Sequence, residues 1–110
     1  MRPATCAGAI LALTLAGAAC GPPTSGIPVE ELWSEHCQRC HGADGGGNPA
    51  QKGLDPEVDL LSSKMVANGT RGLIYQRIAY GYQAMPAFRH KLEQGDLEML
   101  AQFVLDLKER

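Results

Sequence analysis

Cys37-Gln38-Arg39-Cys40-His41 is the densest run of reactive side chains in this sequence. Two thiols roughly one helical turn apart, with an imidazole on the next residue, form the C-x-x-C-H pattern of covalent haem attachment. Thiols at that spacing can each add to a vinyl group on adjacent haem rings, and the following residue then projects under the ring plane. There the His41 imidazole can bind iron. One short segment would both tether the cofactor and supply its proximal ligand.

The second chemical signal is Tyr82-Gln83-Ala84-Met85-Pro86-Ala87-Phe88. An iron held by His41 alone keeps an open sixth position. A thioether suits it, because that ligand changes little between ferrous and ferric iron and a Met/His pair raises the reduction potential. Met85 follows Cys37 by 48 residues, enough chain to wrap round a haem edge. Pro86 fixes its own φ and biases Met85 to an extended shape, which can hold the sulfur without a helix around it. A solitary methionine is otherwise a gap-filling core residue; its coupling to the haem motif and to Pro-Ala-Phe turns the reading to ligation.

Other chemistries fit less well. A thiol redox pair should sit in a βαβ pattern, which is missing. Zinc would want a second pair of ligands at recognisable spacing, and the remaining imidazoles are only His36, His41 and His90. His36 points away around the helix from Cys37 and is expected at the surface or rim. His90 and Met65 are fallback sixth ligands, and Met99 is a packing residue. No nucleophile–base arrangement is visible, so catalysis is not expected.

The elements that must position these groups fit in one domain, the chain being 110 residues long. Residues 1–19 read as a signal peptide: Met1-Arg2 is a minimal positive start, and Ala7 to Ala19 is almost wholly small and apolar, too short to span a bilayer comfortably. Ala16-Gly17-Ala18 and Gly17-Ala18-Ala19 satisfy an A-x-A-like cleavage rule that would release a soluble periplasmic protein. Ala18-Ala19-Cys20-Gly21 also resembles the bacterial lipobox, where cleavage precedes a cysteine that becomes lipid-modified, although Gly17 stands where that family usually has Leu. Membrane anchoring through a lipid on Cys20 is the favoured outcome. Residues 20–26 then form a linker, and 27–110 the folded domain. A small core of that size commonly needs a staple, which a covalent haem would provide.

Three helices are expected, from about Pro28 to His41, Arg71 to Tyr80 and Asp96 to Lys108, with irregular stretches between them. On the first, Trp33, Cys37, Cys40 and His41 fall at i, i+4, i+7 and i+8, on one face. Thr70 and Asp96 are the expected N-caps of the other two, and Gly81 the stop of the second. Leu97, Leu100, Ala101, Val104 and Leu107 make the apolar stripe of the third, with Phe103 at its border. No segment shows strand alternation.

Over nearly the whole of residues 27–110 the sequence resembles a short bacterial class I cytochrome c. The resemblance lies in Cys37-Gln38-Arg39-Cys40-His41-Gly42, in Met85-Pro86-Ala87-Phe88, in the aromatic Trp33 one turn before the first cysteine, and in the Leu100/Phe103 pair of the last helix. It implies an all-α fold wrapped round one covalent haem c, with Cys37, Cys40, His41 and Met85 binding the cofactor. It also implies a crossing of first and last helices near Trp33, although Val29 stands where the family often has glycine. The glycine-rich run Gly42 to Pro49 looks like the family's loop after the haem motif, where a proline carbonyl accepts the other ring N–H of the proximal histidine. Pro49 is the corresponding candidate here. Function would be single-electron carriage between redox partner proteins, alone or within a larger oxidoreductase. The alternative is a small-ligand sensor in which Met85 dissociates.

Formal charge is −2, but its distribution is uneven. From Ser62 to Leu92 there are Lys64, Arg71, Arg77, Arg89 and Lys91 and no carboxylate. A basic rim near Met85 would dock an acidic redox partner. No nucleic-acid role is expected.

Overall fold

Helix α6, Gln94–Leu105, is the element the others lie against. The structure, a computed structural model, describes residues 20–110; the expected signal peptide, 1–19, lies outside them. Spacing of i, i+3, i+4 and i+7 puts Leu97, Leu100, Ala101 and Val104 on one stripe, and all four are buried. Helix α5, Arg71–Tyr80, covers that stripe with Ile74, Ile78 and Ala79, and α1, Val29–His36, crosses it with Leu32 and Trp33. Trp33 meets Phe103 with ring centroids 4.9 Å apart, at the expected crossing. Each large apolar side chain sealed there is worth about 1.5–3 kcal/mol of transfer free energy.

The expected first helix is broken in two. Helix α1 ends at His36, Cys37 adopts φ −120° and ψ −34°, and a single turn α2, Gln38–His41, carries the rest of the motif. Helix α5 begins and ends as expected, with the Thr70 hydroxyl accepting from the Leu73 amide and Gly81 closing the end. Asp96 is not a cap. Helix α6 starts two residues earlier, with Glu93 at the N-cap position, because the Asp96 carboxylate is buried and turned to a partner outside the helix, the Ser25 amide. The helix also stops at Leu105, and a tight 3-10 turn, Leu107–Glu109, buries Leu107.

Between α2 and α5 the irregular stretch proves to be a string of short helical pieces. They are α3, Pro49–Leu54, two 3-10 turns, Pro56–Val58 and Leu60–Ser62, and α4, Lys64–Asn68. The side chains of Asn48, Asp55, Asp59 and Ser63 each accept an amide of the turn that follows, and Pro49 and Pro56 sit where a missing N–H costs nothing. Among the described residues the only strand-like pairing is the bridge between Tyr82 and Met85.

Candidate functional site

Cys37 stands at the break between α1 and α2, with Cys40 and His41 one turn on. The His41 amide donates to the Cys37 carbonyl at 3.0 Å, and the Gly42 amide to the Gln38 carbonyl at 2.8 Å. The glycine-rich loop then folds back. Gly47 donates to the His41 carbonyl at 2.7 Å and Asn48 to the Cys40 carbonyl at 2.9 Å, so the turn is held from both sides.

The imidazole is held independently. His41 Nδ1 lies 2.9 Å from the Val58 carbonyl oxygen. An acceptor there requires the proton on Nδ1, which leaves the Nε2 lone pair available to a metal. The partner is therefore Val58 and not Pro49, which opens α3 at its first position and contributes a fixed φ. Nothing in the type of residue 58 announces this role, because the acceptor is main-chain. Trp33 supports the other side: its Nε1–H donates to the Gly42 carbonyl at 3.1 Å, and its ring centroid lies 6.0 Å from that of His41.

Burial pushes the Cys37 thiol up to about 12, with the neighbouring Cys40 adding to the effect. A thiol kept neutral is a poor nucleophile for disulfide exchange and a poor zinc ligand. A thioether carries no charge and suits the same surroundings. Among the described residues no group of three or more His, Cys, Asp or Glu side chains is placed to hold a metal ion. His36 is partly buried and meets Phe88 edge-on, with ring centroids 5.8 Å apart, so the residue before the motif touches the Met-Pro-Ala-Phe segment.

Met85 sits on a tight two-residue turn. The Tyr82 amide donates to the Met85 carbonyl at 3.1 Å and the Met85 amide returns the bond at 2.9 Å. Gln83, the first central residue, takes φ 53°, a left-handed conformation normally left to glycine. Beyond it, Phe88 and Arg89 donate to the carbonyls of Ile78 and Ala79, both at 3.1 Å, and so tie the segment to α5. Gly81, at φ 77°, lies directly under it: a Cβ there would stand 2.6 Å from the Met85 carbonyl oxygen. The Met85 side chain is partly buried against the same core cluster that Cys37 joins. Two thiols, an imidazole with a free Nε2 and a thioether together match the donor set of a haem c.

The family described as cytochrome C oxidase, cbb3-type, subunit III matches residues 27–104. The chain belongs to the mono-haem class I c-type cytochromes. It is 32% identical over 83 residues to cytochrome c6 of Bumilleriopsis filiformis, covering 74% of this chain and 90% of that one. It is 34% identical over 83 residues to cytochrome c6 of Pyropia tenera, covering 74% and 91%. Among solved structures, the KustC0563 c-type cytochrome superposes with a TM-score of 0.64 at 26% identity, over 74% of this cytochrome and 98% of that chain. The family is one of cytochrome c6-like electron carriers, and membership implies a covalent haem c. The all-helical architecture, with α1, α5 and α6 as its main helices, is that of a c-type cytochrome. No described helix is long and apolar enough to cross a membrane.

Proposed function

We propose that this cytochrome carries one electron at a time between redox proteins at a membrane surface, with one haem attached through Cys37 and Cys40 and ligated by His41 and Met85. When bound, the haem supplies a one-electron ferrous/ferric couple. The chain's own residues do the rest. The Val58 carbonyl holds the proton on His41 Nδ1, which orients the ring and strengthens it as a ligand. The backbone clamp of Gly81, Tyr82, Ile78 and Ala79 keeps Met85 in one place, which favours a permanent ligand over the dissociable one of a sensor. The His41–Val58 bond carries this reading.

The five cations between Ser62 and Leu92 support an acidic partner. Among the described residues the ion pairs are Lys52–Asp59 and Arg110–Glu30, so none of those five is neutralised by a carboxylate. The Arg77 guanidinium lies 4.2 Å over the Tyr82 ring and that of Arg89 4.5 Å over Tyr80, and both rings are more than half exposed. Export and a lipid on Cys20 complete the proposal, on the apolar run to Ala19 and the Ala18-Ala19-Cys20-Gly21 sequence.

The test is a mass and an absorption spectrum of protein matured with haem-attachment machinery. The mass should exceed the polypeptide by one haem, and the ferric spectrum should carry a long-wavelength thioether band that vanishes in Met85→Ala while the added mass stays. A bare polypeptide mass, or a band indifferent to Met85, refutes the proposal.

A further inference from the structure

His36 is expected from its helical position at the surface or rim, yet its ring is partly buried against Phe88, the last residue of the Met-Pro-Ala-Phe segment. The two rings stand at 71° with centroids 5.8 Å apart, an edge-to-face arrangement. Lys91 Nζ lies 5.4 Å from the Phe88 centroid, so a cation shares the same ring. His36 is the last residue of α1, and Cys37 follows it directly at the helix break. Adjacent Cα atoms are about 3.8 Å apart, so a side chain gripped by His36 is held next to the first thiol of the motif.

Phe88 is the point at which its own segment is fastened. Its amide donates to the Ile78 carbonyl at 3.1 Å, and its carbonyl accepts from the amides of Lys91 and Leu92 at 2.9 and 3.0 Å. Its side chain is buried in the core cluster. Pro86 and Ala87 alone separate it from Met85, and Pro86 locks its own φ, so the link is short and stiff. Backbone bonds thus fix Met85 relative to α5. They do not fix it relative to the Cys37 turn, which lies at the end of α1. The ring contact between His36 and Phe88 joins those two parts.

We propose that His36 is a positioning residue for Met85: its ring, set against Phe88, keeps the Met85 segment in register with the Cys37 turn and so opposes exchange of the thioether for an outside ligand. This rests on the ligation by His41 and Met85 proposed above. The test titrates imidazole into the matured ferric protein, where an iron–nitrogen bond forms as the iron–sulfur bond breaks with no change of oxidation state. His36→Ala should lower the imidazole concentration at half-exchange about two- to tenfold, the worth of one aromatic pair. Amide hydrogen exchange should quicken at Phe88 and Arg89 and stay unchanged at Gly47 and Asn48. His36→Phe, which keeps a ring, should restore both readouts, and Glu35→Ala, at an exposed position one residue earlier, should match the wild type. Where His36→Ala yields no matured protein, His36→Gln loses the ring and carries the same expectations. A half-exchange concentration unmoved by loss of the ring, or moved as far by His36→Phe or Glu35→Ala, overturns the role of His36 and leaves ligation by Met85 standing. Quickening absent at Phe88 and Arg89, or equal at Gly47 and Asn48, overturns it as well. A wild-type spectrum without a thioether band that depends on Met85 overturns both readings together.

Discussion

His41 and Met85, the two proposed iron ligands, are held in opposite ways. His41 is fixed through its own side chain, by a carbonyl 17 residues further on at Val58 and by the Trp33 ring beside it. Met85 is fixed through its backbone, by a two-residue turn over Gly81 and by the tie to α5. The difference follows from ligand chemistry. An imidazole has a second nitrogen by which it can be oriented, whereas a thioether sulfur is a weak acceptor and offers no such handle. Charge divides along the same line: residues 29–59 hold seven carboxylates and two cations, and residues 62–92 hold five cations and no carboxylate. On the proposed reading, the His41 side would serve to hold the cofactor, and the Met85 side both to hold it and to be approached by a partner.

Gly81→Ala breaks the distal clamp most directly. An alanine at φ 77° costs about 1–2 kcal/mol, and a Cβ 2.6 Å from the Met85 carbonyl forces a further shift. Overpacking of this kind costs about 1–3 kcal/mol more. The denaturation midpoint of the matured protein should fall accordingly, and the long-wavelength thioether band should weaken. An unchanged band would mean that Met85 does not depend on its backbone for its position.

Charge reversal sharpens the second half of the comparison. Arg77→Glu with Arg89→Glu removes two cations stacked on exposed tyrosines. Electron transfer to an acidic partner should slow about tenfold at low salt, since steering of this kind spans 10–10³ in rate. The ordinary fall of the rate with rising ionic strength should flatten or invert. Stability should move by only about 1–2 kcal/mol, the worth of two exposed cation–π contacts. Equal reversal at Lys52 and Arg39, on the acidic side, should leave the rate nearly untouched.

Trp33→Phe tests the proximal side and should do less. It keeps the ring between His41 and Phe103 but deletes the donor to the Gly42 carbonyl. The loss is about 1 kcal/mol, the net worth of one such bond. A spectral change as large as that from Gly81→Ala would contradict the ranking of the two supports.

What could be read in advance follows the same division. A motif of fixed spacing is local, so Cys37, Cys40 and His41 stand out in the sequence as one candidate set, and the α6 stripe was legible through its regular period. Helix α5 was bounded correctly because Thr70 and Gly81 are strong end signals. The helices between Asn48 and Asn68 escaped because pieces of three to six residues are too short to show an apolar period. Their signal was there in another form, as Asn48-Pro49 and Asp55-Pro56, a cap followed by a proline. The Val58 acceptor was illegible in principle, since any residue but the fold's chosen one supplies the same carbonyl. Asp96 was misread because a helix-capping residue type and a buried acceptor for a distant amide look identical until the Ser25 amide is found beside it.

Asp59 offers the finest probe, because it follows Val58 and pins the chain that holds His41. Its carboxylate accepts from the amides of Leu61 and Ser62 and from the Ser62 hydroxyl, and pairs with Lys52 at 3.1 Å. Bonding to the Lys52 and Ser62 side chains holds its pKa below the ordinary 3.8. A folded-state value below the unfolded one means stability that is present above the ordinary value and is lost as pH falls through the folded one. Acid should therefore loosen this turn only below about pH 4, the ordinary carboxylate value. Asp59→Asn should remove that part of the acid limb and leave the rest in place. The change should appear first in absorption bands that report the His41 side, with the thioether band following only at lower pH. Simultaneous loss of both signals in the wild-type protein, unaltered by Asp59→Asn, would show that the two supports fail as one unit and not as two.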